Sequence, residues 1–246
     1  MNVTLTHQAG YHSKIENDRG HQVSIDNKSG ESPKGASPME LLLMGVAGCS
    51  SIDIIAVKSE TYFKPEPKGN AYAVDLVQQI SDMNNGTYLD ENILNTAKTD
   101  FCIGVAGYPE KHMEAPNMES DIHFLKKKIE AGADYVVTQM FFDNSKYFAF
   151  VENCRAAGIT VPIIPGLKPL ATSKQINMIP HRFHVDFPEA LIKEVLKAKT
   201  KEDVSQVGID WCINQSKELV AANIPFLHYY SMGKSDNIHK LASTVF

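Results

Sequence analysis

The chain has 246 residues, 43% of them hydrophobic, and a net charge of −5 from 24 basic and 29 acidic residues. This composition is typical of a folded globular protein and excludes a largely disordered chain. The nearly balanced charge gives no basic surface for nucleic acid, so no nucleic-acid partner is expected.

The four cysteines lie far apart, without a CxxC pair. Because no secretory leader is recognised either, we expect reduced thiols, a cytoplasmic protein and no zinc or other metal site. The apolar segment 39–57 is interrupted by Ser50, Ser51 and Asp53. It is therefore too short to cross a bilayer, and no membrane partner is expected.

The first part of the chain predicts a small α+β fragment. Val23–Asp26 alternates between apolar and polar residues and is followed by the turn-forming segment Asn27–Gly30, which indicates short antiparallel strands. Ser37-Pro38-Met39-Glu40 has the pattern of a helix N-terminus, with a capping serine and a glutamate three residues later. The predicted helix runs toward Val57.

A segment rich in proline, lysine and glycine, residues 61–69, indicates a linker or a surface loop. We place a domain boundary there, between an N-terminal fragment, 1–60, and a larger domain, 61–246.

In the larger domain, apolar runs of strand length alternate with helical periodicity, which predicts an α/β fold with a parallel sheet. Asn117 and Asp143 are expected to cap two helices, and a longer helix is predicted from about Lys201 to Ala222. The four predicted strands are Phe101–Ala106, Tyr135–Phe141, Val161–Ile164 and Phe226–Tyr230.

Separated motifs in this domain resemble those of one enzyme family. They are Gly69–Ala73, Ala106–Ala115, Ala131–Asp134 with Thr138–Asp143, Ile163–Gly166, and His228–Tyr230 before Lys234. In this order they resemble the flavin-dependent methylenetetrahydrofolate reductases, over about residues 62–246. The resemblance implies a (β/α)8 TIM barrel of which the chain holds the last four strands. Because a partial barrel leaves strand edges unpaired, we expect a homo-oligomer.

The resemblance implies a flavin site. Its expected FAD contacts are Tyr72, Ala73, Tyr108, His112, Asp121 and Lys128. Asp121 and Lys128 are two helical turns apart and so share one face of a helix. The residue pattern alone leaves other interpretations open: a Tyr-Pro turn with a solvent-facing histidine, an ordinary surface acid and lysine, and a packing role for Tyr72.

Gln139 and Lys234 are the residues that the resemblance implies for substrate binding. Gln139 lies within an apolar strand, where an unpartnered amide would cost roughly 1 to 3 kcal/mol. An amide can hydrogen-bond a pterin or a nicotinamide, although a hydrogen bond to a neighbouring strand explains the residue equally. Lys234 stands where some family members carry an arginine that contacts folate.

Two motifs of the family are missing from this chain. One is the Glu-Phe-Phe-Pro-Pro-like motif, whose glutamate serves as general acid, and the other is Leu-Arg-Gly-Asp, whose place is taken by Asp53–Glu60. No catalytic residue is therefore assigned. Loss of a general acid typically reduces a rate by about 10² to 10⁴, so an inactive form is one of the expectations.

A second, shorter resemblance covers about residues 10–59. Ser37–Met44 and Gly48-Cys49-Ser50 resemble the first half of the OsmC-like thiol peroxidases. It implies that Cys49 attacks peroxide with Glu40 nearby, although a partner would have to supply an arginine and a resolving thiol. A lone cysteine on an apolar helix is also a common core residue.

These observations favour an FAD-dependent methylenetetrahydrofolate reductase that takes hydride from NAD(P)H and passes it to 5,10-methylenetetrahydrofolate, giving 5-methyltetrahydrofolate. Two alternatives stay open. One is an OsmC-like thiol peroxidase fragment that uses Cys49, and the other is a non-catalytic fusion remnant.

Overall fold

A computed structural model of the protein describes residues 3–9, 12–17, 22–25, 70–89, 97–231 and 236–246. The chain divides into two compact units, Met1–Lys64 and Pro65–Phe246. The helix expected after Ser37 and the segment 61–69 lie outside the described residues.

The N-terminal unit contains a three-stranded antiparallel sheet. Its strands are β1 (Val3–Ala9), β2 (His12–Asn17) and β3 (Gln22–Ile25), in the order β1-β2-β3. The ladder between β1 and β2 shifts register between His7 and Ala9. The prediction of short antiparallel strands is confirmed.

The C-terminal unit is built on a four-stranded parallel sheet, in the order β4-β5-β6-β7. The strands are β4 (Gly104–Gly107), β5 (Tyr135–Met140), β6 (Ile163–Leu167) and β7 (His228–Tyr229). Every ladder in this sheet is parallel. The predicted α/β class and the four predicted strands are therefore confirmed.

Three strand starts differ from the prediction: β4 begins at Gly104, β6 at Ile163 and β7 at His228, and the first two differences have local reasons. β4 begins after Ile103 because the backbone N–H of Ile103 donates to Asp134 Oδ2 at 2.7 Å instead of joining the ladder. β6 begins after Pro162, which has no N–H to donate.

In this unit one helix precedes β4, one lies between β4 and β5, one between β5 and β6, three between β6 and β7, and one follows β7. The helices are α1 (Ala73–Asn84), α2 (Met118–Glu130), α3 (Asn144–Ala156), α4 (Gln175–Phe183), α5 (Glu189–Lys197), α6 (Lys201–Ala221) and α7 (Asp236–Val245).

Side-chain caps fix the starts of three of these helices. Asn117 accepts from the N–H of Ser120 at the start of α2, and Asp143 accepts from that of Ser145 at the start of α3, as predicted. Thr200 begins α6 with a reciprocal capping box. Among the described residues, no helix is long and apolar enough to span a membrane.

The main core lies between the sheet and its helices. Val105, Val136 and Ile163 belong to this core, and they pack with buried residues of α2, α3 and α6. A second cluster, around Met140, Phe142 and Leu170, lies near the ends of β5 and β6. The two clusters hold the strands in place, so that the loops after the strands have fixed starting points.

Candidate functional site

The carboxyl ends of the parallel strands form one edge of the sheet. Tyr108 follows β4, Gln139 lies at the end of β5, Lys168 follows β6 and Tyr230 follows β7. In parallel α/β folds, ligands bind at this edge, where loops supply side chains that the strands hold in register.

Tyr108, His112 and Asp121 are brought together beyond the end of β4. The rings of Tyr108 and His112 meet edge to face, with centroids 4.6 Å apart. The backbone N–H of His112 donates to Asp121 Oδ2 at 2.9 Å, which ties the loop to the first turn of α2. The backbone N–H of Glu114 donates to His112 Nδ1 at 3.2 Å. His112 Nδ1 therefore acts as the acceptor in this contact.

Lys128 lies on the same helix as Asp121 and completes this cluster. Its Nζ donates to the carbonyl oxygen of Ala106 in β4 at 3.1 Å. Both Asp121 and Lys128 are half-buried. A carboxylate and an ammonium group are thus held at fixed positions near the end of one strand.

Lys111 holds the loop between β4 and α2 in shape. It has a left-handed backbone, with φ 77°, and its Nζ donates to the carbonyl oxygens of His112 at 3.1 Å and Ala115 at 2.6 Å. A left-handed lysine is locally unfavourable, so these two hydrogen bonds help to stabilise the conformation that presents Tyr108 and His112.

Strands β5, β6 and β7 meet closely at the same edge. Thr138 Oγ1 accepts from the N–H of Gly166 at 2.9 Å, and the Tyr230 hydroxyl donates to the Thr138 carbonyl oxygen at 2.8 Å. A Cβ on Gly166 would lie 2.7 Å from the Tyr230 ring, so no larger residue fits there. Burial raises the pKa of Tyr230 to about 12, which keeps its hydroxyl protonated.

Gln139 is half-buried, not fully buried as its apolar context indicates. Its Oε1 accepts from the N–H of Met140 at 3.0 Å. Within the described part of the chain, its NH₂ group makes no hydrogen bond, so it can donate to a ligand.

The other predicted site residues are not part of this cluster. Tyr72 and Ala73 are exposed at the start of α1, and Tyr72, 74% exposed, contacts mainly solvent. Lys234, Cys49 and Glu40 lie outside the described residues, so their predicted roles are not tested.

Glu110, which the sequence analysis does not select, lies on the loop that carries His112. Its Oε2 accepts from the N–H of Asp186 at 3.0 Å, while its buried Oε1 has no hydrogen-bond partner in the part of the chain that is described. Burial raises the pKa of Glu110 to about 7. A sequence signal exists, because a glutamate directly after Tyr108-Pro109 must sit close to the strand end.

Lys168 is a second residue that the sequence analysis does not select. It is 8% exposed, and burial lowers its pKa. A signal is present here too, since Lys168 is the one charged residue between Val161 and Leu170.

Comparison with known proteins identifies related sequences. The family model described as "Methylenetetrahydrofolate reductase" matches residues 53–245 and thus begins before Tyr62, where the motifs described above start. A "Probable methylenetetrahydrofolate reductase (NADPH)" of Caenorhabditis elegans is 34% identical over 59% of this chain and 22% of the relative. A "5,10-methylenetetrahydrofolate reductase" of Buchnera aphidicola is 35% identical over 62% of this chain and 53% of the relative.

This chain therefore matches about half of the length of the bacterial relative and less than a quarter of the nematode one. One solved structure is of an uncharacterized protein from Clostridium thermocellum that binds two copies of 5-methyl-5,6,7,8-tetrahydrofolic acid. Its sequence is 20% identical to this chain, and the match covers 59% of this chain and 52% of the Clostridium chain. Its TM-score of 0.44 is too low to establish a shared fold. The resemblance of about residues 10–59 to OsmC-like proteins stays a prediction.

Proposed function

The chain belongs to the methylenetetrahydrofolate reductase family, and we propose that its C-terminal unit binds FAD and a reduced folate as a methylenetetrahydrofolate reductase. The reaction is the reduction of 5,10-methylenetetrahydrofolate to 5-methyltetrahydrofolate with NAD(P)H. We further infer that β4–β7 and their helices form part of a (β/α)8 barrel that assembles as a homo-oligomer in the cytoplasm.

The observation that carries the proposal is the cluster of Tyr108, His112, Asp121 and Lys128. Four residues from two segments of the sequence lie around the carboxyl end of β4, within hydrogen bonds and ring contacts that fix them. A fixed arrangement of this kind, at the edge where α/β folds bind ligands, is typical of a cofactor site.

The chemistry of these groups suits FAD. An aromatic ring and an imidazole can pack against a flavin ring, the carboxylate of Asp121 can accept from ribityl hydroxyls, and the ammonium of Lys128 can bind phosphate. The chemistry that FAD supplies when bound is hydride transfer between a nicotinamide and the one-carbon group of folate. Tyr72 and Ala73 would extend the contacts from the start of α1.

On the substrate side, Gln139 is the residue best placed to orient a ring. Its NH₂ group can donate, and its Oε1 can still accept, when a pterin or nicotinamide amide edge lies at the end of β5. Lys234 would add a cation for folate.

Binding and turnover are separate parts of the proposal. The assembled cluster supports flavin binding, whereas no residue of this chain matches the family's general acid. A proton donor contributes about 10² to 10⁴ in rate. The chain by itself is therefore expected to retain FAD binding while its turnover is reduced by about this factor.

The test is the visible absorption spectrum after incubation of the full chain with FAD and gel filtration. We expect retained flavin in the wild type. Lys128→Met should weaken flavin binding by about 10-fold to 100-fold, the value of one charge-assisted hydrogen bond. Lys127→Met is the matched control, because Lys127 is an exposed neighbour on α2. A wild-type protein that takes up no flavin would refute the proposal.

A further inference from the structure

Lys168 is a buried cation for which no described residue supplies a counter-ion. It is 8% exposed, and the salt bridges and hydrogen bonds of the described residues include none to its ammonium group. A lysine whose side chain is this buried normally pairs its ammonium group with an anion or loses its proton more easily, so an anionic group of a ligand would complete its environment. The lowered pKa of Lys168 has burial as its cause, with no carboxylate contributing to it.

The backbone around Lys168 is fixed on both sides. The N–H of Tyr230 donates to the carbonyl oxygen of Leu167 at 2.9 Å, which binds the preceding residue to β7. After Lys168, the Gln175 side chain accepts from the N–H of Ala171 at 2.7 Å and from that of Thr172 at 3.1 Å. A buried lysine on such a constrained segment has a preorganised position, which a ligand can use at little entropic cost.

Lys168 also lies at the edge of the sheet that carries the candidate site. It directly follows β6, between the end of β5 with Gln139 and the end of β7 with Tyr230. Leu167 belongs to the core on the helix side of the sheet. By strand alternation, Lys168 continues the opposite face together with Gly166, whose register partner in β5 is Met140, the residue after Gln139.

We propose that Lys168 binds an anionic oxygen, a carboxylate or a phosphate, of a ligand held at the carboxyl edge of β5, β6 and β7. This inference rests on the proposed function, since the ligands named there carry such groups: the glutamyl carboxylates of folate and the phosphates of NAD(P)H and FAD. The bound anion supplies the counter-ion that no residue in the described part of the chain provides.

The proposal predicts a coupling between binding and protonation. An anion beside Lys168 favours the ammonium form and opposes the effect of burial. Ligand binding should therefore take up protons at alkaline pH, and the affinity for that ligand should fall as the pH rises.

The experiment compares wild type with Lys168→Met and Lys168→Arg. Dissociation constants are measured by calorimetry for FAD, NADPH, 5-methyltetrahydrofolate and 6-methyltetrahydropterin, which lacks the glutamyl group. We expect Lys168→Met to weaken one anionic ligand by about 10-fold to 100-fold and Lys168→Arg to retain part of the affinity. Loss for 5-methyltetrahydrofolate but not for the pterin would identify the glutamyl carboxylate. Loss for NADPH or FAD would identify a phosphate.

Thermal unfolding without ligand separates binding from a structural role. Because Lys168→Met removes an unpaired buried charge and keeps the apolar stem, the ligand-free variant should be at least as stable as the wild type. Unchanged affinities for every ligand that the wild type binds would overturn the proposal and leave the proposed function intact. Failure of the wild type to bind any of the four would overturn both.

Discussion

Helix α6 approaches the loop after β6 at Gly208, and the substitution Gly208→Ala tests this packing. A Cβ at this position would lie 2.7 Å from the backbone nitrogen and carbon of Leu170, and closer still to its carbonyl oxygen, whereas ordinary contact begins at 3.4 Å. These are backbone atoms, so no side chain can rotate away. The helix would have to retreat by roughly 1 Å, against a core that is already closely packed.

Two effects of opposite sign determine the result. In an exposed helix interior, replacing glycine with alanine stabilises by about 1 kcal/mol. Overpacking against rigid atoms costs about 1 to 3 kcal/mol or more, and the short approach places Gly208 at the upper end. We therefore expect Gly208→Ala to lower the free energy of unfolding by about 2 kcal/mol, which corresponds to roughly 4 to 8 °C in Tm.

Urea unfolding followed by tryptophan fluorescence measures this effect. Trp211, the single tryptophan, lies on α6 near Gly208, and its Nε1 donates to the carbonyl oxygen of Phe142 at 2.9 Å. With a slope of roughly 2 kcal/mol per M, the urea midpoint should fall by about 1 M. Lys217→Ala, at an exposed position of the same helix, is the control and should leave the midpoint nearly unchanged. A midpoint for Gly208→Ala at or above that of the wild type would show that α6 does not approach Leu170.

Two further predictions concern a helix cap and a titrating group. Thr200→Ala should destabilise the protein by about 1 kcal/mol, because Thr200 Oγ1 accepts from the N–H of Asp203 at 3.1 Å. Thr200→Ser keeps the hydroxyl and should restore stability. If urea unfolding shows the alanine variant to be as stable as the wild type, the cap does not contribute. Burial raises the pKa of Glu110 from 4.5 to about 7. Between pH 4.5 and about pH 7, Glu110 is therefore protonated in the folded state and ionised in the unfolded state. Stability, measured as Tm, should therefore fall as the pH rises from about 4.5 to about 7. Glu110→Gln should reduce this decline. An equal decline in Tm for both proteins would argue against Glu110 as its source.

Much of the C-terminal unit follows from local sequence. Asn117 and Asp143 cap their helices because a side-chain oxygen next to a helical run satisfies an N–H that has no other partner. Apolar runs such as Tyr135–Met140 form strands because their β-branched and aromatic residues fit a buried, pleated surface. The family resemblance implies Tyr108, His112, Asp121 and Lys128 as FAD contacts, which stays a prediction; the structure connects the first three to one another and bonds Lys128 to Ala106 of β4.

Other features depend on contacts between distant parts of the chain. The alternating pattern of β5 does not show that Gln139 is half-buried, since exposure depends on what covers that face of the sheet. The raised pKa of Glu110 is caused mainly by burial, which depends on distant segments that no local pattern contains; the N–H that Asp186, 76 residues away, donates to this carboxylate acts in the opposite direction.

Local sequence thus determined the helices and the strands, because capping, periodicity and β-propensity act between near neighbours, whereas the candidate site residues were indicated by a family resemblance. Only the tertiary structure decided that Lys168 is buried, with no counter-ion among the described residues, and that Gly208 must be a glycine. Burial and close approach depend on which elements meet in space, and no short stretch of sequence contains that information.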